Sequence, residues 1–176
     1  MDKVEMITLT KENKGEFTDM LKQALIDKFG EDIPENYGTT HPWSLLSLIK
    51  DDALDTYQLI YVNDKFWTGT GGMIREFEGN KVYQAVFRGF SNADNRHKGL
   101  GVVSYTHLYN TKYQIERAKE LGCHSVIISF NDYNYKLFDI TQKYMLPRAL
   151  PEYKFVASTK PIMFNGVEQW LLTLTF

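Results

Sequence analysis

Ser125-Val126-Ile127-Ile128-Ser129-Phe130 is a short, nearly continuous apolar run, and a strand of that kind is stable only where both of its faces are covered. It follows the longest helical pattern of the chain. From Gly101 to Leu121, Leu108, Ile115, Ala118 and Gly122 fall on one side and Val102, Thr106, Tyr109 and Tyr113 on another. A long helix leading into a doubly covered strand predicts a crossover between parallel neighbours. The chain is therefore expected to be layered, with helices packed on a sheet, in the α/β (α+β) class.

The remaining segments fill in that plan. Val4 to Leu9 alternates like a strand, and Lys14 to Phe29 places Phe17, Met20, Leu21, Ala24 and Leu25 at helical spacing before Gly30. A polar loop from Glu31 to Pro42 leads to a short helix, Trp43 to Lys50. Three strand patterns follow, Thr56 to Val62, Phe66 to Phe77 and Lys81 to Ser91, separated by turn signals at Asn63-Asp64-Lys65 and Glu78-Gly79-Asn80. After the doubly covered strand, a helix from Tyr133 to Met145 is expected to stop before Pro147. Two strands, about Tyr153 to Phe164 and Val167 to Phe176, close the chain around Asn165-Gly166, a hairpin dipeptide.

Composition narrows the function classes. At 176 residues, 43% hydrophobic and 24% charged, one domain spanning residues 1–176 can bury its own core. A net charge of −2 gives no bulk attraction to nucleic acid or to a membrane surface. No apolar run reaches the roughly 18 residues of a membrane span, and the single cysteine, Cys123, fits a reducing compartment, so the cytoplasm is the expected location. Cys123 reads as a small buried side chain. Four histidines and the acidic residues show no metal-ligand spacing, so no metal is expected.

The segment with chemical content is Arg96-His97-Lys98-Gly99-Leu100-Gly101, set between a strand pattern and the long helix. Gly99 and Gly101 let bare backbone N–H groups approach an anion, and the helix that follows adds unpaired N–H groups and a partial positive charge. Arg96, His97 and Lys98 add donors. The pattern suits a pyrophosphate. It is not a P-loop, which needs Gly-Lys-Ser/Thr where this chain has Gly101-Val102-Val103.

The order of elements, with an Arg-x-x-Gly-x-Gly loop ahead of the long helix, resembles the GNAT superfamily of acyl-CoA-dependent N-acyltransferases over essentially the whole chain. The resemblance implies a mixed, mostly antiparallel central sheet of about seven strands with helices on both faces. It implies that Arg96, Gly99 and Gly101, with His97, Lys98, Leu100 and Val102 lining the same turn, hold the pyrophosphate of acetyl-CoA. Phe90, Ser91 and Asn92 would form the strand end that pairs with the pantetheine arm, and His41 and Trp43 fall where the family builds its substrate wall. Leu121-Gly122, Asn131 and Leu137-Phe138 match the family's later motifs. Position 138 is usually Tyr in the family and is Phe here, and Lys81 to Ser91 contains no Asp or Glu to serve as a base.

The implied activity is transfer of an acetyl group from acetyl-CoA to a primary amine, on a small molecule or a peptide, by direct attack in a ternary complex. Such a reaction needs a neutral amine, donors for the developing oxyanion and a proton for the leaving thiolate. Tyr135, three residues before Phe138 and on nearly the same helical face, is the candidate donor. Asn131 lies beside the helix N-terminus that would face the thiolate. The alternative is a non-catalytic acyl-CoA-binding sensor or interaction module on the same fold. The last two strands, rich in apolar residues, could supply a homodimer edge.

Overall fold

The structure is a computed structural model, and it describes residues 3–16, 18–19, 23, 26, 51–90, 106–164 and 166–176. The chain forms two compact units, Met1–Gly72 with Phe87–Gly99, and Met73–Val86 with Leu100–Phe176.

In the first unit, β1 (Val4–Thr8) pairs antiparallel with β2 (Gln58–Val62), and β2 pairs antiparallel with the first half of β3 (Lys65–Phe77). Asn63 and Asp64 both take left-handed φ values, 51° and 62°, the geometry of a tight hairpin turn. The described residues between 14 and 26 are helical, and a 3-10 turn at Asp51–Thr56 enters β2. Leu9, Leu54, Tyr57, Leu59 and Ile60 are buried. Gly71 is required by this packing: a Cβ there would stand 1.9 Å from Cδ1 of the buried Tyr57 ring.

In the second unit, Glu78 and Gly79, with φ of 51° and 77°, turn β3 into β4 (Asn80–Phe90). Val82 to Ala85 of β4 pairs in parallel with Ser125 to Ile128 of β5 (Ser125–Asn131), the parallel neighbours that the sequence predicts. β5 pairs antiparallel with β8 (Val167–Thr175) along its whole length. The outer side of β8 carries two short antiparallel pieces, β6 (Val156–Ala157) and β7 (Ile162–Phe164). Between them Ser158 donates its N–H to Leu171 O and accepts the Leu171 N–H on its hydroxyl. The expected Tyr153–Phe164 strand is thus broken in two, which makes eight strands among the described residues.

The helix expected from Gly101 is described from Thr106. Thr106–Thr111 is a π-helical turn, and α1 (Lys112–Glu120) continues it. The π turn carries about one extra residue per turn, so the face extrapolated from Ile115 and Ala118 shifts. Leu108 and Tyr109 are exposed, while Asn110, Thr111 and Gln114 are buried with Ile115 and Ala118.

The helix after β5 begins one residue before its expected start, as a 3-10 turn at Asp132–Asn134. It continues as α2 (Tyr135–Ile140), a π turn at Thr141–Met145 and α3 (Leu146–Ala149). It therefore runs through Pro147 instead of stopping before it. The π turn ends at Met145, and Pro147 falls in the first turn of α3, where a missing N–H costs little.

Val126, Ile128 and Phe130 pack with Ile115, Ala118, Phe138 and Leu146 of the helices, and with Leu172 and Leu174 of β8. On the opposite side of the same strand, Ile127 packs with Val82, Leu171 and Phe164. Both faces of β5 are covered, as its composition requires.

Candidate active site

The C-terminal end of β5 is where the apolar pattern gives way to polar residues. Side chains alternate between faces along a strand, so Ser129 and Asn131 share the side of Ile127, and Phe130 points to the helices. On the first side, Arg75 Nε donates to Gln84 Oε1 at 2.8 Å, and Gln84 Nε2 donates to Ser129 Oγ at 3.0 Å. Gln84 is buried, and this line of polar groups crosses β3, β4 and β5 between the partly exposed ends Arg75 and Ser129. Asn131, 8% exposed and extended at φ −65°, ψ 159°, is the last residue of the strand and precedes the 3-10 turn.

Asn131 Nδ2 reaches the hydroxyl of Tyr133 at 3.5 Å. Loss of solvent around that hydroxyl pushes its pKa above the ordinary tyrosine value, and hydrogen bonding with Asn131 and Asn134 pulls the other way. Tyr133 therefore keeps its proton well beyond neutral pH.

The helix side of the same strand end is aromatic. Phe138 is 2% exposed and meets Phe130 edge-on at 5.7 Å between ring centroids. Trp170, the β8 partner of Phe130, lies 5.2 Å from Phe138 and 4.8 Å from Tyr135. The Tyr135 ring is 5.8 Å from Phe138. The Trp170 indole N–H donates to Asp132 Oδ1 at 3.1 Å. Ring pairs at such separations add to the burial of their area, so Tyr135 is held through its ring, and the hydroxyl beside Asn131 is that of Tyr133.

Of the residues singled out in the sequence, Tyr135 and Phe138 come together on the aromatic side, Asn131 sits on the polar side, and Phe90 is the last residue of β4. Ser91, Asn92, Arg96, His97, Lys98, Gly99, Leu100, Gly101 and Val102 lie outside the described residues, as do His41 and Trp43. Tyr133, Trp170, Asp132 and Gln84 are the additions. Gln84 and Ser129 had a signal, as polar interruptions within apolar strands. Trp170 becomes legible only once β8 is in register with β5. A groove of about 460 Å³ lined by Ile74, Arg75, Glu76, Gly79 and Lys81 contains none of the singled-out residues.

Cys123 is buried, and burial raises its thiol pKa, with Lys81 acting in the opposite sense. Among the described residues no helix is long and apolar enough to cross a membrane.

No family model and no curated protein matches the sequence. Solved structures do match the fold. A chain of the NatC complex bound to Gag peptide and CoA shares 11% identity at a TM-score of 0.61, covering 99% of both chains. Naa50 of Arabidopsis thaliana, in complex with the bisubstrate analogue CoA-Ac-MVNAL, shares 12% identity at a TM-score of 0.54, over 98% of this chain and 99% of that one. Ard1 from Thermoplasma volcanium shares 8% identity at a TM-score of 0.56, over 98% of each. At these TM-scores, over nearly the whole of each chain, this chain has the GNAT fold.

Proposed function

We propose that this chain is an acyl-CoA-dependent N-acyltransferase that moves an acetyl group from acetyl-CoA to a primary amine by direct attack in a ternary complex. The observation that carries the reading is the fold likeness, end to end, to structures solved with CoA or a CoA bisubstrate analogue bound. The Arg96–Gly101 sequence supports it, with backbone N–H groups at Gly99 and Gly101 as the pyrophosphate donors and Arg96, His97 and Lys98 as their charged surround. Ser91, Asn92, Leu100 and Val102 are assigned to the same cofactor site, as are Phe90 and Phe138. His41 and Trp43 are assigned to the acceptor wall.

In the reaction the amine nitrogen forms a bond to the thioester carbonyl carbon, the carbon–sulfur bond breaks, and the thiolate takes up a proton as the amine gives one up. We assign the thiolate's proton to Tyr133 in place of Tyr135. Its hydroxyl is the one that Asn131 orients and whose raised pKa keeps it protonated; Tyr135 supports the aromatic wall. With no carboxylate on β4, the amine loses its proton to water, so the rate rises with pH toward the amine's own pKa, about 10.4 for a lysine-like amine.

Release of free thiol from acetyl-CoA across a panel of amines and peptides tests the reading. Amine-dependent release at a rate that climbs with pH supports it. Acetyl-CoA binding without thiol release at any pH or with any acceptor refutes it and favours the sensor.

A further inference from the structure

At the end of β5 and β8, two aromatic rings and a carboxylate meet, and a second carboxylate lies on the same side of β8. Tyr135 is 45% exposed, and its ring stands 4.8 Å from that of Trp170. Asp132 is exposed, and the Trp170 indole N–H holds one of its oxygens at 3.1 Å, which fixes the carboxylate against the ring pair. Glu168, also exposed, lies two residues before Trp170 on β8 and so on the same side of that strand. Of the lysines on the neighbouring helix, Lys143 is paired with Asp139 at 2.7 Å, and Lys136 lies one helical turn on from Asp132.

Electron-rich ring faces attract a cation that comes within about 6 Å of their centroids, and an adjacent carboxylate adds to that attraction. We propose that the Tyr135–Trp170 ring pair with Asp132 and Glu168 is a recognition site for the cationic group of the acceptor. The acceptor class is then an amine that carries a second, permanently or normally charged nitrogen, as diamines and polyamines do. The acceptor role rests on the acyl-transfer reading above, but the cation site itself does not. The exposed Tyr135 ring, backed by Trp170, supplies the face, and the carboxylates add to its selectivity for charge over shape.

The test uses the full chain without acetyl-CoA. The indole N–H signal of Trp170 is followed by NMR during titration with choline and, separately, with its neutral isostere in which carbon replaces the quaternary nitrogen. Choline is expected to move the signal at about tenfold lower concentration than the isostere. Asp132→Asn keeps an oxygen for the indole N–H and should reduce that preference, with the rings and Glu168 holding the remainder. Tyr135→Phe should retain choline binding and Tyr135→Leu should weaken it.

Equal responses to the two isosteres, an indole signal that choline does not move, or a preference undiminished by Asp132→Asn would each overturn the proposal. Because acyl donor is absent, failure here leaves thiol release untouched. Failure of thiol release with every acceptor would sink the transfer reading and leave the cation site standing.

Discussion

The middle and the end of β5 are three residues apart and obey different rules. At Val126, Ile127 and Ile128 both faces are filled by apolar side chains from helices on one side and strands on the other. At Ser129, Asn131 and the turn that follows, one face carries hydrogen-bonded polar groups, and the other carries rings that still show to solvent at Tyr135. The middle is a packing problem, in which a lost methylene leaves a void. The end is a positioning problem, in which atoms are held by bonds with direction. Substitutions should therefore separate the two, with stability changing for one group and rate for the other.

The sharpest break in that comparison is expected at Phe138, which lies under the end of the strand but belongs energetically to the middle. Phe138→Ala should cost about 3–5 kcal/mol of folding stability, measured by urea unfolding. A loss of activity without that loss of stability would move Phe138 into the chemistry. Tyr133→Phe is the opposite case. It removes one oxygen at a half-exposed ring, so the midpoint of unfolding should hardly change, whereas turnover should fall by about 10²–10⁴-fold if the hydroxyl protonates the thiolate. Normal turnover in Tyr133→Phe would return the role to Tyr135 or to water.

Gln84→Leu probes the border between the two regimes. It leaves Arg75 and Ser129, both partly buried, without their shared partner and should cost about 1–3 kcal/mol, again read from urea unfolding. No cost would mean that water replaces the amide. The smallest effect is expected at Cys123. Its thiol should react slowly with a disulfide reagent at neutral pH until the chain is unfolded. Burial raises its folded pKa, so the unfolded chain ionises first as the pH passes the ordinary value of 9.0, and stability falls as the pH rises through the folded value. Fast reaction in the native state would place the thiol outside the core.

Much of this was legible in the residues themselves. The strand pattern, the Asn63-Asp64 and Glu78-Gly79 turns and the parallel crossover follow from local chemistry, because apolar periodicity and left-handed φ tolerance act over a few neighbours. The π turns were not legible. A helical period of 3.6 fails across Thr106–Thr111, which is why Leu108 faces solvent and Asn110 does not. Pro147 misled for a related reason, since its effect depends on where a new helical turn begins. At the site, Asn131 and Tyr135 stand out through the family resemblance and the spacing to Phe138, but the aromatic rim needs Trp170, brought from 40 residues downstream of Phe130 by the β5–β8 register. Register is a long-range property, and no local pattern records it.

The divided border of β8 bears on what happens when the protein partly opens. Two short pieces, joined across Ser158 by a reciprocal pair of bonds with Leu171, occupy the side of a nine-residue strand that would otherwise offer a straight row of hydrogen-bonding groups. Bare strand borders are templates for pairing with other chains. With β6 and β7 in place, a second molecule meets a short, interrupted contour. If those pieces peel away, β8 is exposed with Trp170, Leu172 and Leu174 behind it, so protection from self-association depends on five strand residues and one serine.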